Sequence, residues 1–144
     1  MSHTYCSALF HCVFSTKNRR SIIPPDLQDR LWPYMAGIAR MNHFKALAVG
    51  GMSDHAHILL SLPATMPIAK AVQLIKGGSS LWINDHLPRR SFAWQDAYAA
   101  LSIGISQVEK TVRYIDNQER HHKRMTAEEE LARMLERHGI KLRD

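Results

Sequence analysis

The sequence feature that most constrains the fold is an apolar segment preceded by two closely spaced histidines. His55 and His57 flank Ala56 and lead into an apolar run that ends at Pro63. Successive side chains of a strand point to opposite faces, so the two imidazoles share one face and Ala56 lies on the other. The segment therefore predicts a strand that presents two imidazoles side by side.

This pair of histidines is a candidate metal site. Side chains two residues apart on one strand face lie about 6.6 Å apart, and imidazole nitrogens are common ligands of divalent cations. The competing interpretation is a chance pairing, because the chain contains nine histidines among 144 residues. A metal site therefore needs support from a second part of the sequence.

That support comes from a helical pattern about sixty residues later in the chain. Val108, Val112 and Ile115 recur at helical spacing and predict a core-facing stripe. Tyr114 lies off that stripe, and Gln118 follows it by one helical turn on the same, outward face. A phenol is a candidate covalent nucleophile and an amide oxygen is a candidate ligand for a hard cation. An ordinary exposed tyrosine and glutamine pair is the alternative.

The remaining patterns predict an alternation of strands and helices. The predicted elements are, in chain order, a strand over 5–15, a helix from Pro24 with a kink at Pro33, a strand over 44–49, a turn over 50–53, the histidine strand, a helix after Pro63, a strand over 92–105, the Tyr114 helix and a charged, solvated helix over 126–137. The order β-α-β-β-α-β predicts an α+β fold, a ferredoxin-like and RRM-like antiparallel sheet with packed helices, followed by the helix that carries Tyr114.

The Gly77-Gly78 pair falls inside the second long helix. Glycine is costly in a helix interior, so the pair indicates that another group approaches the backbone closely there.

Composition favours one globular domain over residues 1–144 with a polyanionic partner. Lysine and arginine number 19 against 13 acidic residues, a net charge of +6, although charge alone does not define a partner. No apolar run approaches the ~20 residues of a membrane span, and the polar start is unlike a signal peptide, so a cytoplasmic protein without membrane association is expected. Cys6 and Cys12 are predicted to be core thiols of the first strand.

Five landmarks occur in an order characteristic of a known family. They are residues 14–20, residues 50–51 with 54–57, residues 75–80, residues 94–95 with Tyr98, and residues 114–118 with 121–122. Together they resemble the single-tyrosine HUH transposases of the insertion-sequence-200/605 type, including relatives associated with repetitive extragenic palindromes. The resemblance covers about residues 5–122 and leaves residues 123–144 as a helical tail.

The resemblance implies a reaction, a substrate and an assembly. Tyr114 would attack a DNA phosphodiester and form a 5′-phosphotyrosine with a free 3′-hydroxyl, while His55, His57 and Gln118 hold Mg²⁺ or Mn²⁺. The covalent link conserves the bond energy, so no nucleotide cofactor is expected. The implied substrate is single-stranded DNA with hairpins, and the implied assembly is a homodimer in which one subunit's tyrosine completes the other's metal site.

Further residues are candidates for substrate contact or for support of the site. The predicted DNA-binding residues are Lys17, Arg19, Arg20, Lys76, Ser79 and Ser80. The candidate supporting residues around the metal ligands are Asp54, His11, His121 and His122. A turn-forming aspartate explains Asp54 equally well, and solvated helix-end histidines explain the last two. Tyr5, Tyr34 and Tyr98 are predicted to be packing residues.

Two other functions compete with the transposase interpretation. A non-catalytic nucleic-acid-binding module is compatible with the sheet, but the aromatic string of RNA-recognition domains does not occur in the sequence. A metal-dependent nuclease that uses activated water in place of Tyr114 is the second alternative. Covalent attachment of DNA to the protein distinguishes the transposase from both.

Overall fold

The computed structural model describes residues 3–118 and 125–141. It contains four strands and four long helices. In chain order these are β1 (Ala8–Ser15), α1 (Pro25–Met41), β2 (Lys45–Gly51), β3 (His55–Leu62), α2 (Ile68–His86), β4 (Ala99–Ile103), α3 (Val108–Asp116) and α4 (Ala127–Arg137). Short 3₁₀ turns follow β1 at Lys17–Arg19 and precede α3 at Ile105–Gln107.

The strands form one antiparallel sheet in the order β2-β3-β1-β4. The central pair joins β1 to β3 along their full lengths, from Ala8 opposite Leu62 to Ser15 opposite His55. The predicted α+β class and the β-α-β-β-α-β order are therefore confirmed.

The first face of the sheet carries the main core. Alternate residues of β1 and β3, among them Cys12, Ile58 and Leu60, pack against the buried stripes of α1 and α2. These residues and the histidines lie on opposite faces of the sheet because successive side chains of a strand alternate between the two faces. The apolar side of β3 is therefore buried, as the sequence pattern predicts.

The second face of the sheet is covered by α3 and α4. Ile115 of α3 packs with Ala48 and Leu59, while Met134 and Leu135 of α4 pack with residues of β1 and β4. Because helices cover both faces, the polar side of β3 is buried as well. The histidines thus lie in a layer between the sheet and two helices.

The predicted first strand is too long at its start. Cys6 is exposed and Tyr5 is 91% exposed, so neither is a core residue. The reason is the strand register. Ala8 pairs with Leu62, the last residue of β3, and Pro63 after it has no backbone N–H to donate, so β1 has no partner before Ala8 on this side. Cys12 is a buried thiol, and burial raises its pKa to about 12.

Two other predicted boundaries differ from the structure. The last strand is shorter than predicted, because the residues before Ala99 leave the sheet and only Trp94 makes an isolated bridge, to Thr16. Gly50 and Gly51 belong to β2, so the hairpin turn begins at Met52. Helix α1 is one element that contains Pro33, and the kink predicted there stays a prediction. Within the described residues, no helix is both long and apolar enough to span a membrane.

Gly50 of β2 lies close against α3. A Cβ at this position would lie 2.5 Å from the backbone oxygen of Ile115 and 3.1 Å from its Cγ2. We expect Gly50→Ala to destabilise the fold by about 1–3 kcal/mol, because backbone atoms cannot yield as a side-chain tip can. The same displacement would move Tyr114, which adjoins Ile115.

Gly37 in α1 provides the matched control. Among the described residues, a Cβ there meets only the Arg40 guanidinium, at 3.6 Å, so Gly37→Ala should be neutral or stabilise the helix by up to ~1 kcal/mol. Urea unfolding of both variants measures the difference. Equal stabilities would show that α3 is not held tightly against β2.

Candidate active site

The two strand histidines lie at the centre of the covered face. His55 is 1% exposed and His57 is 0% exposed, and their ring centroids are 5.2 Å apart. Strand alternation places both rings under α3 and α4, away from the main core. The structure thus brings the two imidazoles together, as predicted, in a buried site.

Helix α3 brings Tyr114 and the residue one turn beyond it to this site. Gln118 Oε1 lies 3.0 Å from His55 Nε2, and the Gln118 amide nitrogen donates to the Tyr114 carbonyl oxygen at 3.3 Å. The predicted outward orientation is wrong for Gln118, which is 2% exposed, and Tyr114 is half-buried. The cause is that α3 packs against the face of the sheet that carries the histidines, so side chains of α3 that point toward this face are covered.

Helix α4 supplies a carboxylate that the sequence interpretation missed. Glu130 is 2% exposed; its Oε1 accepts from His57 Nε2 at 2.8 Å and lies 3.8 Å from His55 Nε2. Its Oε2 accepts the hydroxyl proton of Tyr114. The prediction of a solvated final helix is therefore wrong, because one face of α4 enters the site.

A signal for Glu130 is present in the sequence. Met134 follows it by four residues, and Leu131 and Leu135 lie beside them, so Glu130 falls on the apolar face of an otherwise charged helix. Thr126 caps this helix by accepting from the Glu129 backbone N–H. A carboxylate on an apolar face indicates a buried partner.

Two neighbouring side chains orient the histidine rings. Asp54 Oδ1 lies 2.7 Å from His55 Nδ1, and His11 Nε2 lies 2.8 Å from His57 Nδ1. Because a carboxylate only accepts, His57 Nε2 carries a hydrogen toward Glu130, and His57 Nδ1 shares the second hydrogen bond with His11 Nε2. The polar groups form one connected chain from His11 through His57 and Glu130 to Tyr114.

The surroundings hold two of these groups in their uncharged forms. Burial lowers the pKa of His11 to about 3, with His57 adding to the effect, so His11 is neutral near pH 7. Burial, together with the hydrogen bond to Glu130 and the charge of that carboxylate, raises the pKa of Tyr114 above its ordinary value. Tyr114 is therefore a phenol in this arrangement, with an acceptor already in contact with its proton.

The donor set fits a divalent cation. His55, His57 and Glu130 each offer one ligand atom, and these atoms lie within 4.8 Å of one another. Gln118 Oε1 adds an amide oxygen at the His55 side of the group. Two imidazoles with two oxygen donors suit first-row divalent ions, and the oxygens suit Mg²⁺.

The six predicted DNA-binding residues have different surroundings. Lys17, Arg19 and Arg20 are exposed on the loop after β1, where Arg19 also pairs with Glu128 of α4. Ser80 is half-buried on α2. The prediction is wrong for Ser79, which is 0% exposed and donates to the Ile75 carbonyl oxygen because it lies on the buried stripe of α2.

Lys76 is occupied by contacts within the chain. Its Nζ donates to the carbonyl oxygens of Gln95 at 2.5 Å, Asp96 at 3.2 Å and Ala97 at 3.1 Å. Burial lowers the pKa of Lys76 from its ordinary value. The ammonium therefore fixes the segment before β4, a role different from the predicted phosphate contact.

Other predicted residues lie away from this site or outside the described ranges. His121 and His122 belong to the segment that the structure leaves undescribed. Tyr98 is 37% exposed, and Tyr34 is 41% exposed and stacks on Trp82, so both are partly exposed residues and not core residues.

Comparison with known proteins identifies similar sequences and folds. A family model described as "Transposase IS200 like" matches residues 4–118. A solved structure from Deinococcus radiodurans R1, described as a candidate transposase, is 23% identical with a TM-score of 0.64, and the match covers 82% of this chain and 95% of that one.

A second solved structure, a REP-associated tyrosine transposase bound to a REP hairpin, is 18% identical with a TM-score of 0.61. The match covers 85% of this chain and 73% of the other. At these identities the two structures share the fold. No curated protein matches the chain significantly.

Proposed function

Because the chain belongs to the IS200-like transposase family, we propose that it cleaves and rejoins single-stranded DNA at hairpin-containing ends, with Tyr114 as the nucleophile. The family predicted from the sequence is confirmed, and it is a family of DNA-cleaving tyrosine transposases. The observation that carries the proposal is the convergence of the Tyr114 hydroxyl, the two histidines and Glu130 in one buried cluster.

The proposed reaction exchanges one phosphoester for another. The Tyr114 oxygen attacks phosphorus, its proton passes to Glu130 Oε2, and the bond from phosphorus to the DNA 3′-oxygen breaks. The leaving oxygen takes up a proton and becomes a 3′-hydroxyl, while the 5′-phosphate remains on Tyr114. Rejoining is the reverse attack by a 3′-hydroxyl. The number of phosphoester bonds does not change, so no nucleotide cofactor is needed.

Residues of the cluster would hold Mg²⁺ or Mn²⁺. The ligands would be His55, His57 and Gln118, as predicted, with Glu130 as an additional oxygen donor. When bound, the ion supplies a Lewis acid that polarises the scissile phosphate. Asp54 and His11 hold the outer nitrogens of the two rings and thereby direct the Nε2 atoms toward the cluster.

Access of DNA to the buried cluster would depend on α4. Because His55 and His57 are buried, a phosphate would reach the cluster when the first turn of α4 shifts enough to open a path while Glu130 stays within reach of Tyr114. Arg19 pairs with Glu128 two residues from Glu130, so a phosphate bound at Arg19 competes with that contact. Binding of the DNA backbone to the loop after β1 would thus favour this shift of the first turn of α4. We place the reaction in the cytoplasm.

The contacts within one chain support a site completed without a second subunit. Tyr114 and His57 of the same chain have ring centroids 5.8 Å apart and share Glu130 as partner. The predicted homodimer with exchanged tyrosines is the alternative arrangement. A homodimer in which each chain keeps its own tyrosine is compatible with these contacts.

Mixing two inactive variants distinguishes the arrangements. We expect Tyr114→Phe mixed with His57→Asn to remain inactive, because each chain lacks one part of its own site. Covalent DNA attachment on the mixture, with heterodimers verified by mass, would instead establish exchange between subunits. Each variant alone is the control.

The nature of the products tests the function itself. Hairpin DNA with single-stranded flanks, labelled at either end, is incubated with the protein and Mn²⁺ and resolved under denaturing conditions. We expect the 3′ portion of the DNA to migrate with the protein and the 5′ portion to be released with a 3′-hydroxyl. Cleavage that leaves all DNA free of protein would identify a water-using nuclease.

A further inference from the structure

Thr16 joins the loop after β1, residues 16–20, to the residue that precedes the histidine strand. Its side chain is 1% exposed, and its Oγ1 donates to the Arg20 carbonyl oxygen at 2.7 Å and lies 3.2 Å from the Asp54 carbonyl oxygen. The Thr16 backbone N–H donates to the same Asp54 oxygen at 2.8 Å. One buried residue therefore contacts both the basic loop and the start of the site.

Asp54 depends on this contact because it lies just outside the sheet. The register of β1 and β3 ends with Ser15 opposite His55, so Asp54 is one residue beyond the paired strands. Its carboxylate is 29% exposed and lies 2.7 Å from His55 Nδ1, while Nε2 of the same ring faces the cluster. A carboxylate at the outer nitrogen commonly orients a metal-binding histidine. A shift of the Asp54 backbone would thus turn the His55 ring.

The loop after β1 holds a conformation that its own sequence disfavours. Asn18 and Arg19 have φ angles of 57° and 53°, a left-handed conformation that asparagine tolerates and arginine rarely adopts. Lys17, Arg19 and Arg20 also place three positive charges within four residues. Such a conformation persists where surrounding contacts fix it. Thr16 provides two of them, since its hydroxyl donates to Arg20 and its carbonyl oxygen accepts from the Arg19 N–H at 3.0 Å.

A DNA phosphate at this loop would favour the same conformation. Lys17, Asn18 and Arg20 line a cavity of about 270 Å³ whose wall also includes Ser91. A phosphate there offsets the repulsion between the two cations and accepts hydrogen bonds from their side chains. DNA that binds in this cavity therefore fixes the Arg20 backbone, to which the Thr16 hydroxyl is bonded.

We propose that Thr16 is a positioning residue that transmits DNA binding at the loop after β1 to the ring of His55. The path runs from the Arg20 carbonyl oxygen through Thr16 to the Asp54 backbone, and from the Asp54 carboxylate to His55 Nδ1. The proposal rests on the proposed function, since it names how DNA contacts prepare the cluster for that reaction. Because coupling between two sites is reciprocal, an ordered His55 ring also strengthens DNA binding at the loop.

The test uses variants that remove or keep one hydroxyl group. Thr16→Val keeps the shape of the side chain and the backbone hydrogen bonds of residue 16, whereas Thr16→Ser keeps the hydroxyl. Thr111→Val is the matched control, because the Thr111 hydroxyl also donates to a backbone carbonyl oxygen, that of Gln107 at 2.8 Å. Urea unfolding verifies that each protein folds, and Thr16→Ala takes the place of Thr16→Val if valine prevents folding.

Histidine-selective ¹⁵N NMR of the metal-free protein reports the His55 ring directly, and His55→Asn assigns its Nδ1 signal. Hairpin DNA with single-stranded flanks is added at constant pH until binding, followed by fluorescence anisotropy, is saturated. We expect the His55 Nδ1 signal to move in wild type, Thr16→Ser and Thr111→Val. In Thr16→Val it should stay near its DNA-free position although DNA is bound.

Formation of the covalent adduct should follow the same order. At saturating DNA and Mn²⁺, its rate constant should fall about 10-fold in Thr16→Val, within the usual range of coupling between two sites, and Thr16→Ser should restore it. Equal movement of the His55 signal in wild type and Thr16→Val would overturn the proposal, as would failure of Thr16→Ser to restore that movement. A wild type whose His55 signal moves but that forms no adduct would contradict the proposed function and leave this coupling standing.

Discussion

Replacement of His57 by asparagine should reduce metal-dependent DNA cleavage by about 100-fold or more while the protein still folds. The Lewis acid contributes several kcal/mol to such reactions, and a site that loses one of its two imidazoles retains little of that contribution. Titration with Mn²⁺ should show a parallel loss of affinity. Asparagine is chosen because it keeps a polar group at this position, where His57 is 0% exposed and lies between His11 and Glu130. Alanine there would leave two buried polar groups without their partner, at about 1–3 kcal/mol each.

A matched control is available on the surface. His43 is exposed and has a φ of 66°, a conformation that asparagine adopts readily, so His43→Asn should retain cleavage and metal affinity. Undiminished cleavage by a folded His57→Asn protein would place the metal site elsewhere.

Replacement of Tyr114 by phenylalanine should abolish the covalent DNA adduct completely. A phenyl ring has no oxygen to attack phosphorus, so no covalent adduct should remain. The sequence alone predicts almost no change in stability. The structure revises this expectation to a destabilisation of about 1–2 kcal/mol, because the hydroxyl donates to the buried Glu130 carboxylate.

Tyr34→Phe is the control for Tyr114→Phe. Tyr34 is 41% exposed and stacks on Trp82 among the helices of the opposite face, so loss of its hydroxyl should leave the adduct intact. Denaturing electrophoresis after incubation with labelled hairpin DNA measures all three proteins, and binding assays verify that Tyr114→Phe still recognises the hairpin. An adduct that persists in Tyr114→Phe would assign the nucleophile to another residue.

The parts of the fold that depend on local periodicity were predictable. Alternation along β3 separates His55 and His57 from Ile58, and the stripe of α3 places Ile115 in contact with Leu59. Both are consequences of one element's own geometry. The same reasoning applied to α2 would have placed Ser79 inside, since Ile75 and Ile83 lie one turn to either side of it on the buried stripe.

The contacts that assemble the site were less predictable, because they join elements far apart in the chain. His11 pairs with Leu59 across the sheet, and only this register sets its ring diagonally beside His57. Glu130 is 73 residues from His57, and its position depends on how α4 docks. Charge alternation along α4 suggested solvent on every side, whereas Met134 and Leu135 bury one face.

The measurement that tests the central claim most directly is the identification of the residue that carries DNA. The wild-type adduct formed on hairpin DNA with Mn²⁺ is treated with nuclease and trypsin, and the peptides are sequenced by mass spectrometry. Cleavage after Arg113 and Arg120 gives a seven-residue peptide that begins with Tyr114. We expect a nucleotide phosphate on Tyr114 of that peptide, whereas a modified residue in any other peptide would show that Tyr114 is not the nucleophile.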